Sequence, residues 1–239
     1  MNTVKILHNN TKMIAHRGLS GIEAENTNAA FIAAGNRSYY GIETDVHKTA
    51  DGQFICTHDD NAKRVCGKDL IIEDTDFDIL RSIALYERGL SATRADLVMP
   101  SLAEYIRTCK RYDKIAVLEL KNRFMKSDIE EICNIIIKED YLEKVVFISF
   151  CFDNLVYLRE LHGSQPAQFL TEEYDVSLPS ILAEHKFELD IDYTQLTQEN
   201  IRILHENGIK VNCWTCDDAA YAEKLISWGI DYITTNILE

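Results

Sequence analysis

The sequence contains no apolar run that approaches the roughly 20 residues required by a membrane-spanning helix. Its first ten residues also lack the continuous apolar stretch of a secretory signal peptide. We therefore expect a chain that is not exported and has no transmembrane segment. The seven cysteines are odd in number and scattered, several of them within apolar runs, as expected of reduced and buried thiols. Together these features predict a cytoplasmic protein.

Basic residues are scarce, since 25 Lys and Arg face 39 Asp and Glu and give a formal net charge of −14. No local cluster of Lys or Arg offsets this charge. The resulting negative field repels nucleic acid and anionic membrane surfaces, so we predict no nucleic-acid partner. An anionic small molecule remains compatible, provided that a bound cation and a few basic groups reverse the potential locally.

Short β-rich runs alternate with longer stretches of helical periodicity along most of the 239 residues. This alternation is typical of parallel βαβ units, and the length matches the roughly 250 residues of one barrel. We predict an α/β fold, a single (β/α)8 TIM barrel over residues 1–239. The eight predicted strands cover residues 13–16, 42–46, 115–120, 145–150, 168–171, 187–191, 210–214 and 232–234.

Two segments depart from the simple alternation. The Asp51-Gly52 pair between two β-rich runs predicts an antiparallel hairpin that continues from the second strand. Residues 61–99 are charged and irregular, and they exceed the length of an ordinary barrel loop. We interpret them as a small insertion over the barrel mouth, followed by a helix over residues 101–110.

The helix after the third predicted strand carries a start signal. Ser127 and Glu130 have the spacing of a capping box, and they precede an amphipathic run of isoleucines. The spacing predicts that this helix begins at Ser127.

Acidic residues on two predicted strands give the strongest chemical signal. Successive side chains of a strand point to opposite faces, so Glu43 and Asp45 share one face. Glu119 and Lys121 share a face near the carboxyl end of the next strand, where barrel enzymes carry their active sites. Grouped carboxylates at that end repel one another and are costly to desolvate unless a cation neutralises them.

A divalent metal ion resolves this cost. Three oxygen ligands favour Mg²⁺ or Ca²⁺, with Mn²⁺ as a further option and Zn²⁺ less suited. The alternative is that the acids pair with Arg or Lys side chains of neighbouring strands.

Two histidines lie where predicted strands meet loops. His16 ends the first strand, and His58 follows the strand of the hairpin. Two histidines at one barrel mouth, beside acidic strands, favour acid–base chemistry over a structural role. Phosphodiester cleavage uses such a pair, in which one group deprotonates the nucleophile and the other protonates the leaving alkoxide.

Nine short motifs follow one another along nearly the whole chain. They are His16-Arg17-Gly18, Glu25-Asn26-Thr27, Glu43-Thr44-Asp45, Asp51-Gly52, His58-Asp59, Pro100-Ser101-Leu102, Leu118-Glu119-Leu120-Lys121, Trp214-Thr215 and residues 229–236. In this order they resemble the glycerophosphodiester phosphodiesterase family. One departure is that Ala24 stands where the family usually has a proline, which affects loop stiffness.

The resemblance implies a barrel with an inserted subdomain that hydrolyses glycerophosphodiesters to sn-glycerol 3-phosphate and an alcohol. It implies His16 and His58 as general acid and base. It implies Mg²⁺ or Ca²⁺ held by Glu43, Asp45 and Glu119. It also implies phosphate contacts from Arg17 and Lys121.

Two further residues, Trp214 and Asn26, can each be interpreted in two ways. Trp214 either floors the glycerol pocket or plugs the core. Asn26 either touches the site or belongs with Thr27 to the pair of residues of which one caps the following helix.

Two alternative functions are compatible with the same pattern. A phospholipase or lysophospholipase D-type barrel enzyme would require an apolar loop that docks on lipid, and only Leu90 and residues 97–99 offer apolar candidates within the insertion. A non-catalytic ligand-binding barrel would not need His16 and His58 together.

Overall fold

Nine strands form one sheet in the computed structural model, which describes residues 2–239. They are β1 (Lys12–Ala15), β2 (Gly41–Lys48), β3 (Phe54–Cys56), β4 (Ile115–Leu120), β5 (Val145–Ser149), β6 (Ala167–Thr171), β7 (Glu188–Asp192), β8 (Val211–Trp214) and β9 (Tyr232–Thr235). All strands except β3 pair in parallel, in the order β8-β7-β6-β5-β4-β2-β1-β9. β3 runs antiparallel to the end of β2, which confirms the predicted hairpin.

The two ends of this order lie side by side and nearly close the barrel. The backbone N–H of Asp231, just before β9, donates to the carbonyl of Val211 on β8 at 3.2 Å. The hydroxyl of Thr234 donates to the Asn212 side chain at 3.2 Å. The predicted (β/α)8 barrel is therefore confirmed, with strand ends within two residues of those predicted.

The end of β1 differs from the prediction in a way that concerns the site. His16 lies just beyond the strand, although its backbone N–H still donates to Thr235 of β9 at 2.9 Å. The next residue, Arg17, has a left-handed backbone with φ of 52°, so the chain turns away from the ladder there.

Most helices follow the strands and cover the outside of the barrel, and two short ones lie in the segment after β3. They are α1 (Asn28–Gly35), α2 (Lys63–Cys66), α3 (Phe77–Arg81), α4 (Leu102–Arg111), α5 (Lys126–Lys138), α6 (Phe152–Leu161), α7 (Leu178–His185), α8 (Gln198–Glu206) and α9 (Ala219–Ser227). Their apolar faces join the core formed with the strands. Neighbouring helices also contact each other, as where Phe31 of α1 meets Tyr105 of α4 edge to face at 5.1 Å. No helix among residues 2–239 combines the length and the apolar character needed to cross a membrane.

The predicted capping box at Ser127 and Glu130 is wrong. α5 begins one residue earlier, at Lys126, and the carboxylate of Asp128 accepts the backbone N–H of Met125 at 3.1 Å. Asp128 also accepts Lys48 Nζ at 2.6 Å. This contact ties the start of α5 to β2, so tertiary packing sets the first residue of the helix.

The segment between β3 and α4 contains α2 and α3 and forms a small apolar cluster with Ile55 of β3. The buried members of this cluster are Ile55, Ala62, Cys66, Ile72, Leu80, Leu85, Leu97 and Met99. Leu97 and Met99 are each 1% exposed, whereas Leu90 is 56% exposed. Of the apolar candidates for a lipid-docking loop, Leu90 is therefore the one large side chain at the surface.

α4 begins with a complete capping box, close to the predicted start of this helix. The Ser101 hydroxyl accepts the N–H of Glu104 at 3.2 Å, and the Glu104 carboxylate accepts the N–H of Ser101 at 2.7 Å. We predict that Ser101→Ala lowers the free energy of unfolding by about 1 kcal/mol, measured by urea denaturation.

The matched control for this change is Ser177→Ala. Ser177 occupies the same position before α7 but makes no side-chain cap bond there. This control should stay within about 0.5 kcal/mol of the wild type. Equal losses from the two changes would contradict a capping role for Ser101.

Candidate active site

Three acidic side chains meet at the carboxyl ends of β2 and β4. The register of these parallel strands places Asp45 beside Glu119 and Glu43 beside Val117. One carboxylate oxygen from each of Glu43, Asp45 and Glu119 lies within 4.8 Å of the others. The three residues are only 2%, 1% and 7% exposed. The structure thus brings together all three of the predicted metal ligands.

Ionising all three carboxyl groups in this position is unfavourable. Burial, reinforced by the charge of Asp45, raises the pKa of Glu119 to about 8. Burial and the charges of Asp45 and Glu119 raise the pKa of Glu43 well above its usual range. Burial also opposes ionisation of Asp45, but the charges of Arg17 and Lys121 outweigh it and hold the pKa of Asp45 well below its usual range.

Two basic side chains border the acids. Lys121 Nζ lies 2.8 Å from Glu119 Oε1 and 3.5 Å from Asp45 Oδ1. Arg17 Nε lies 3.6 Å from Asp45 Oδ2, and Arg17 Nη1 donates to Glu25 at 2.9 Å. The acids are therefore partly paired with bases, as the alternative interpretation of the sequence expected, while they also face one another.

Asn26 fixes the orientation of Asp45. Its side-chain amide donates to Asp45 Oδ2 at 2.8 Å, and its oxygen accepts the hydroxyl of Thr44 at 2.6 Å. The next residue, Thr27, caps α1 and accepts the N–H of Ala30 at 3.2 Å. The two interpretations of Asn26 are thus resolved, since Asn26 lies at the site and Thr27 is the cap.

His16 is held through one ring nitrogen. Its Nδ1 lies 2.8 Å from Asn236 Oδ1, an oxygen that also accepts the hydroxyl of Ser20 at 2.6 Å. The amide of Asn236 donates to Asp217 at 2.7 Å, so the Asn236 oxygen is the acceptor for His16. Nδ1 therefore carries the proton, and Nε2 is the basic nitrogen. Burial, followed by the charge of Arg17, lowers the pKa of His16 to about 4.

His58 is held by a carboxylate. Its Nδ1 lies 2.7 Å from Asp59 Oδ1, and Arg64 Nε donates to the other oxygen of Asp59 at 2.6 Å. Arg64 also donates to Glu25 at 2.8 Å, which links it to the partner of Arg17. Burial lowers the pKa of His58, and the charge of Asp45 opposes that shift.

A cavity of about 330 Å³ connects these groups. All of the predicted site residues line it except Asp45. The facing wall includes the apolar side chains of Ile148, Phe150 and Leu170 together with polar ones such as Glu172 and Thr234. Trp214 lines the cavity and packs edge to face against Phe150, with ring centroids 5.6 Å apart. It therefore forms part of the cavity wall.

Asp190 is a lining residue that no motif indicated. It lies on β7 and is 1% exposed. The sequence did contain a signal, because Asp190 alternates with Leu189 and Ile191 as Glu43 alternates with its apolar neighbours.

A model of the glycerophosphoryl diester phosphodiesterase family matches residues 16–239. The chain belongs to this family. The match begins at His16 and covers every element from α1 to β9.

Members of the family with known sequence or structure resemble the chain over almost its full length. The glycerophosphodiester phosphodiesterase of Caldanaerobacter subterraneus is 29% identical over 234 residues, which cover 95% of this chain and 94% of that one. The crystal structure of a glycerophosphodiester phosphodiesterase from Parabacteroides distasonis is 27% identical with a TM-score of 0.81, covering 95% of this chain and 93% of that one.

A phosphodiesterase of Oleispira antarctica, solved in complex with the product sn-glycerol-3-phosphate, is 24% identical with a TM-score of 0.83. The match covers 94% of this chain and 92% of that one. At this identity the likeness shows a common fold.

The raised pKa of Glu119 makes the free energy of unfolding of this chain depend on pH. Between the unperturbed value of 4.5 and about 8, the folded chain binds more protons at Glu119 than the unfolded chain does. The contribution of Glu119 to stability is therefore lost as the pH rises through this range. We predict that in EDTA the wild type loses stability relative to Glu119→Gln between about pH 5 and about pH 8 in urea denaturation.

The control for this prediction is Glu199→Gln, which removes an exposed glutamate paired with Arg202 on α8. The unfolding free energy of Glu199→Gln should not rise relative to that of the wild type between about pH 5 and about pH 8. Parallel pH profiles for the wild type and Glu119→Gln would contradict the electrostatic description of the acidic cluster.

Proposed function

We propose that this chain hydrolyses glycerophosphodiesters to sn-glycerol 3-phosphate and an alcohol in a reaction that requires a divalent cation. The observation that carries the proposal is the 330 Å³ cavity, which His16 and His58 line together with acids and bases. Membership of the family supports the reaction class, as does the named activity of the Caldanaerobacter relative. The product bound to the Oleispira phosphodiesterase supports the glycerol phosphate moiety.

The residues present fit a divalent metal ion. Glu43, Asp45 and Glu119 offer three oxygens within 4.8 Å of one another, and burial together with the neighbouring negative charges raises the pKa values of both glutamates, so a bound cation would favour their ionised forms. Oxygen donors favour Mg²⁺ or Ca²⁺, with Mn²⁺ as a further option. When bound, such an ion supplies positive charge to a phosphoryl oxygen and helps to orient the substrate.

We assign the phosphate contacts to Arg17 and Lys121. Both side chains line the cavity and remain partly exposed, by 18% and 14%. Their charges lie next to the acidic cluster, where they hold an anionic phosphate that the acids alone would repel. We assign Trp214 to the carbon atoms of the glycerol, because its ring belongs to the apolar side of the cavity.

We assign proton transfer to the two histidines. Burial, and then the charge of Arg17, opposes a positive charge on His16 and leaves its Nε2 unprotonated, so His16 is suited to deprotonate the nucleophile. The carboxylate of Asp59 stabilises a protonated His58, so His58 is suited to protonate the departing alcohol oxygen.

We further propose that residues 1–239 form one catalytic domain, with an insertion of about 61–99 beside the mouth. Arg64 of α2 supports this arrangement, because it bonds both Asp59 and Glu25 next to the site. The seven cysteines are free thiols, which supports a cytoplasmic location.

A second candidate function is a lysophospholipase D-type reaction. A cavity of about 740 Å³ lies between the barrel and the insertion and shares His16 and Arg17 with the inner cavity. Its lining includes the apolar side chains of Leu85 and Leu90, which favour an acylated substrate. Glu23, Glu87 and Arg88 also line it and make it less suited to an acyl chain.

We predict that EDTA abolishes the release of sn-glycerol 3-phosphate from sn-glycero-3-phosphocholine and that Mg²⁺ or Ca²⁺ restores it. With the metal present, His16→Ala and His58→Ala should each lower kcat by about 10²-fold or more, because each removes one proton-transfer group. A coupled assay for glycerol 3-phosphate measures both effects.

The control variant is His205→Ala. His205 pairs with Asp231 at 2.8 Å, near the amino-terminal ends of β8 and β9, and should not affect turnover. Full turnover after either cavity histidine is changed would exclude that histidine from the mechanism. Faster cleavage of lysophosphatidylcholine would favour the second candidate, and binding of sn-glycerol 3-phosphate without turnover would indicate a ligand-binding barrel.

A further inference from the structure

Asp190 has no role in the reaction described above, yet it lines the same cavity. It lies on β7, in register with Leu170 of β6 and Asn212 of β8. The residue is 1% exposed, and within residues 2–239 its Oδ1 has no hydrogen-bond partner. Leaving a buried polar atom without a partner is unfavourable, so a group that satisfies it would bind favourably.

Asn212 on β8 lies close enough to Asp190 for a hydrogen bond that lowers its pKa, yet Asp190 Oδ1 is left without a partner and the remaining bonds of Asn212 go elsewhere. The amide of Asn212 donates to Gln168 at 3.1 Å, and its oxygen accepts the hydroxyl of Thr234 at 3.2 Å. No Lys or Arg among residues 2–239 forms a salt bridge with Asp190, as Arg17 and Lys121 do with Asp45. The group that completes the hydrogen bonding of Asp190 must therefore come from the cavity.

Trp214 provides a second unpaired atom on the neighbouring strand, two residues further along the register, where it pairs with Asp192. Its Nε1 is buried without a hydrogen-bond partner in the described part of the chain. Trp214 lies on β8, next to β7, and lines the same cavity. An N–H donor and a carboxyl group are thus left without hydrogen-bond partners on adjacent strands. A hydroxyl group both donates and accepts hydrogen bonds, so it suits both atoms.

The position of Asp190 separates it from the acidic cluster. Around the barrel, β5 and β6 lie between β4, which carries Glu119, and β7, and their side chains Ile148 and Leu170 form apolar wall. A small molecule whose phosphate lies near Arg17 and Lys121 would place carbon atoms on this wall. Its hydroxyl groups would then reach Asp190. Burial, increased by the charge of Glu119, also raises the pKa of Asp190, and a neutral carboxyl does not repel phosphate.

We propose that Asp190, with Trp214 Nε1, hydrogen-bonds the hydroxyl groups of the glycerol half of the substrate and selects for them. The inference rests on the proposed function, which supplies the glycerophosphodiester. It assigns Asp190 as a specificity-determining residue that has no part in proton transfer. A phosphate ester without hydroxyl groups on its alcohol half would leave Asp190 without a hydrogen-bond partner, so Asp190 would not increase its affinity.

The test is isothermal titration of sn-glycerol 3-phosphate and of ethyl phosphate into the Mg²⁺- or Ca²⁺-loaded protein. Asp190→Leu should weaken sn-glycerol 3-phosphate about tenfold, because it removes the hydrogen-bonding group, and should leave ethyl phosphate unchanged. Asp190→Asn keeps the shape and a donor and acceptor, so it should retain affinity for both ligands within about threefold.

The matched control is Gln168→Leu. It removes a buried polar side chain from the neighbouring strand β6, and Gln168 does not line the cavity. Its affinity for both ligands should equal that of the wild type. A metal titration without ligand should also give the same affinity for the wild type and both Asp190 variants.

Three results would overturn the proposal: Asp190→Leu weakens both ligands equally, it weakens neither, or Asp190→Asn behaves as Asp190→Leu does. Because the titrations involve no turnover, they remain informative if the protein fails to hydrolyse glycerophosphodiesters. Failure of hydrolysis would contradict the proposed function, whereas loss of ligand discrimination would contradict the role of Asp190.

Discussion

The arrangement of the site depends on the mutual repulsion of three buried carboxylates. The parallel register of β2 and β4 forces Asp45 next to Glu119, and alternation along β2 adds Glu43 on the same face. Arg17 and Lys121 offset the charge of Asp45, yet both glutamates keep raised pKa values. The barrel therefore holds a concentrated negative site that favours positive charge.

Contacts from distant parts of the chain hold this site in a defined geometry. The backbone N–H of Arg17 donates to the Glu43 carboxylate at 2.7 Å, so the main chain of Arg17 itself contacts the acidic cluster. His16 depends on Asn236 near the carboxyl terminus, whereas His58 depends on Asp59. Glu25 bonds both Arg17 and Arg64 and so joins the barrel mouth to the insertion. A substitution in the insertion can thus alter the cavity through the Arg64–Glu25 and Glu25–Arg17 ion pairs.

Residues whose role follows from strand periodicity could be predicted from the sequence. Alternation alone identified Glu43, Asp45 and Glu119, and the βαβ pattern located all eight parallel strands. Features decided by tertiary contacts could not be predicted in this way. The first residue of α5 depends on the contact of Asp128 with Lys48, and the burial of Leu97 and Met99 depends on packing within the insertion. Asp190 carried the same periodic signal but belonged to no motif.

Diffraction from crystals grown with Mn²⁺ shows whether the three carboxylates surround one divalent ion. Anomalous scattering locates the ion without reference to activity. We expect one anomalous peak per chain, about 2.0–2.6 Å from oxygens of Glu43, Asp45 and Glu119. A map without a peak at this position, in which Arg17 and Lys121 alone neutralise the acids, would contradict it.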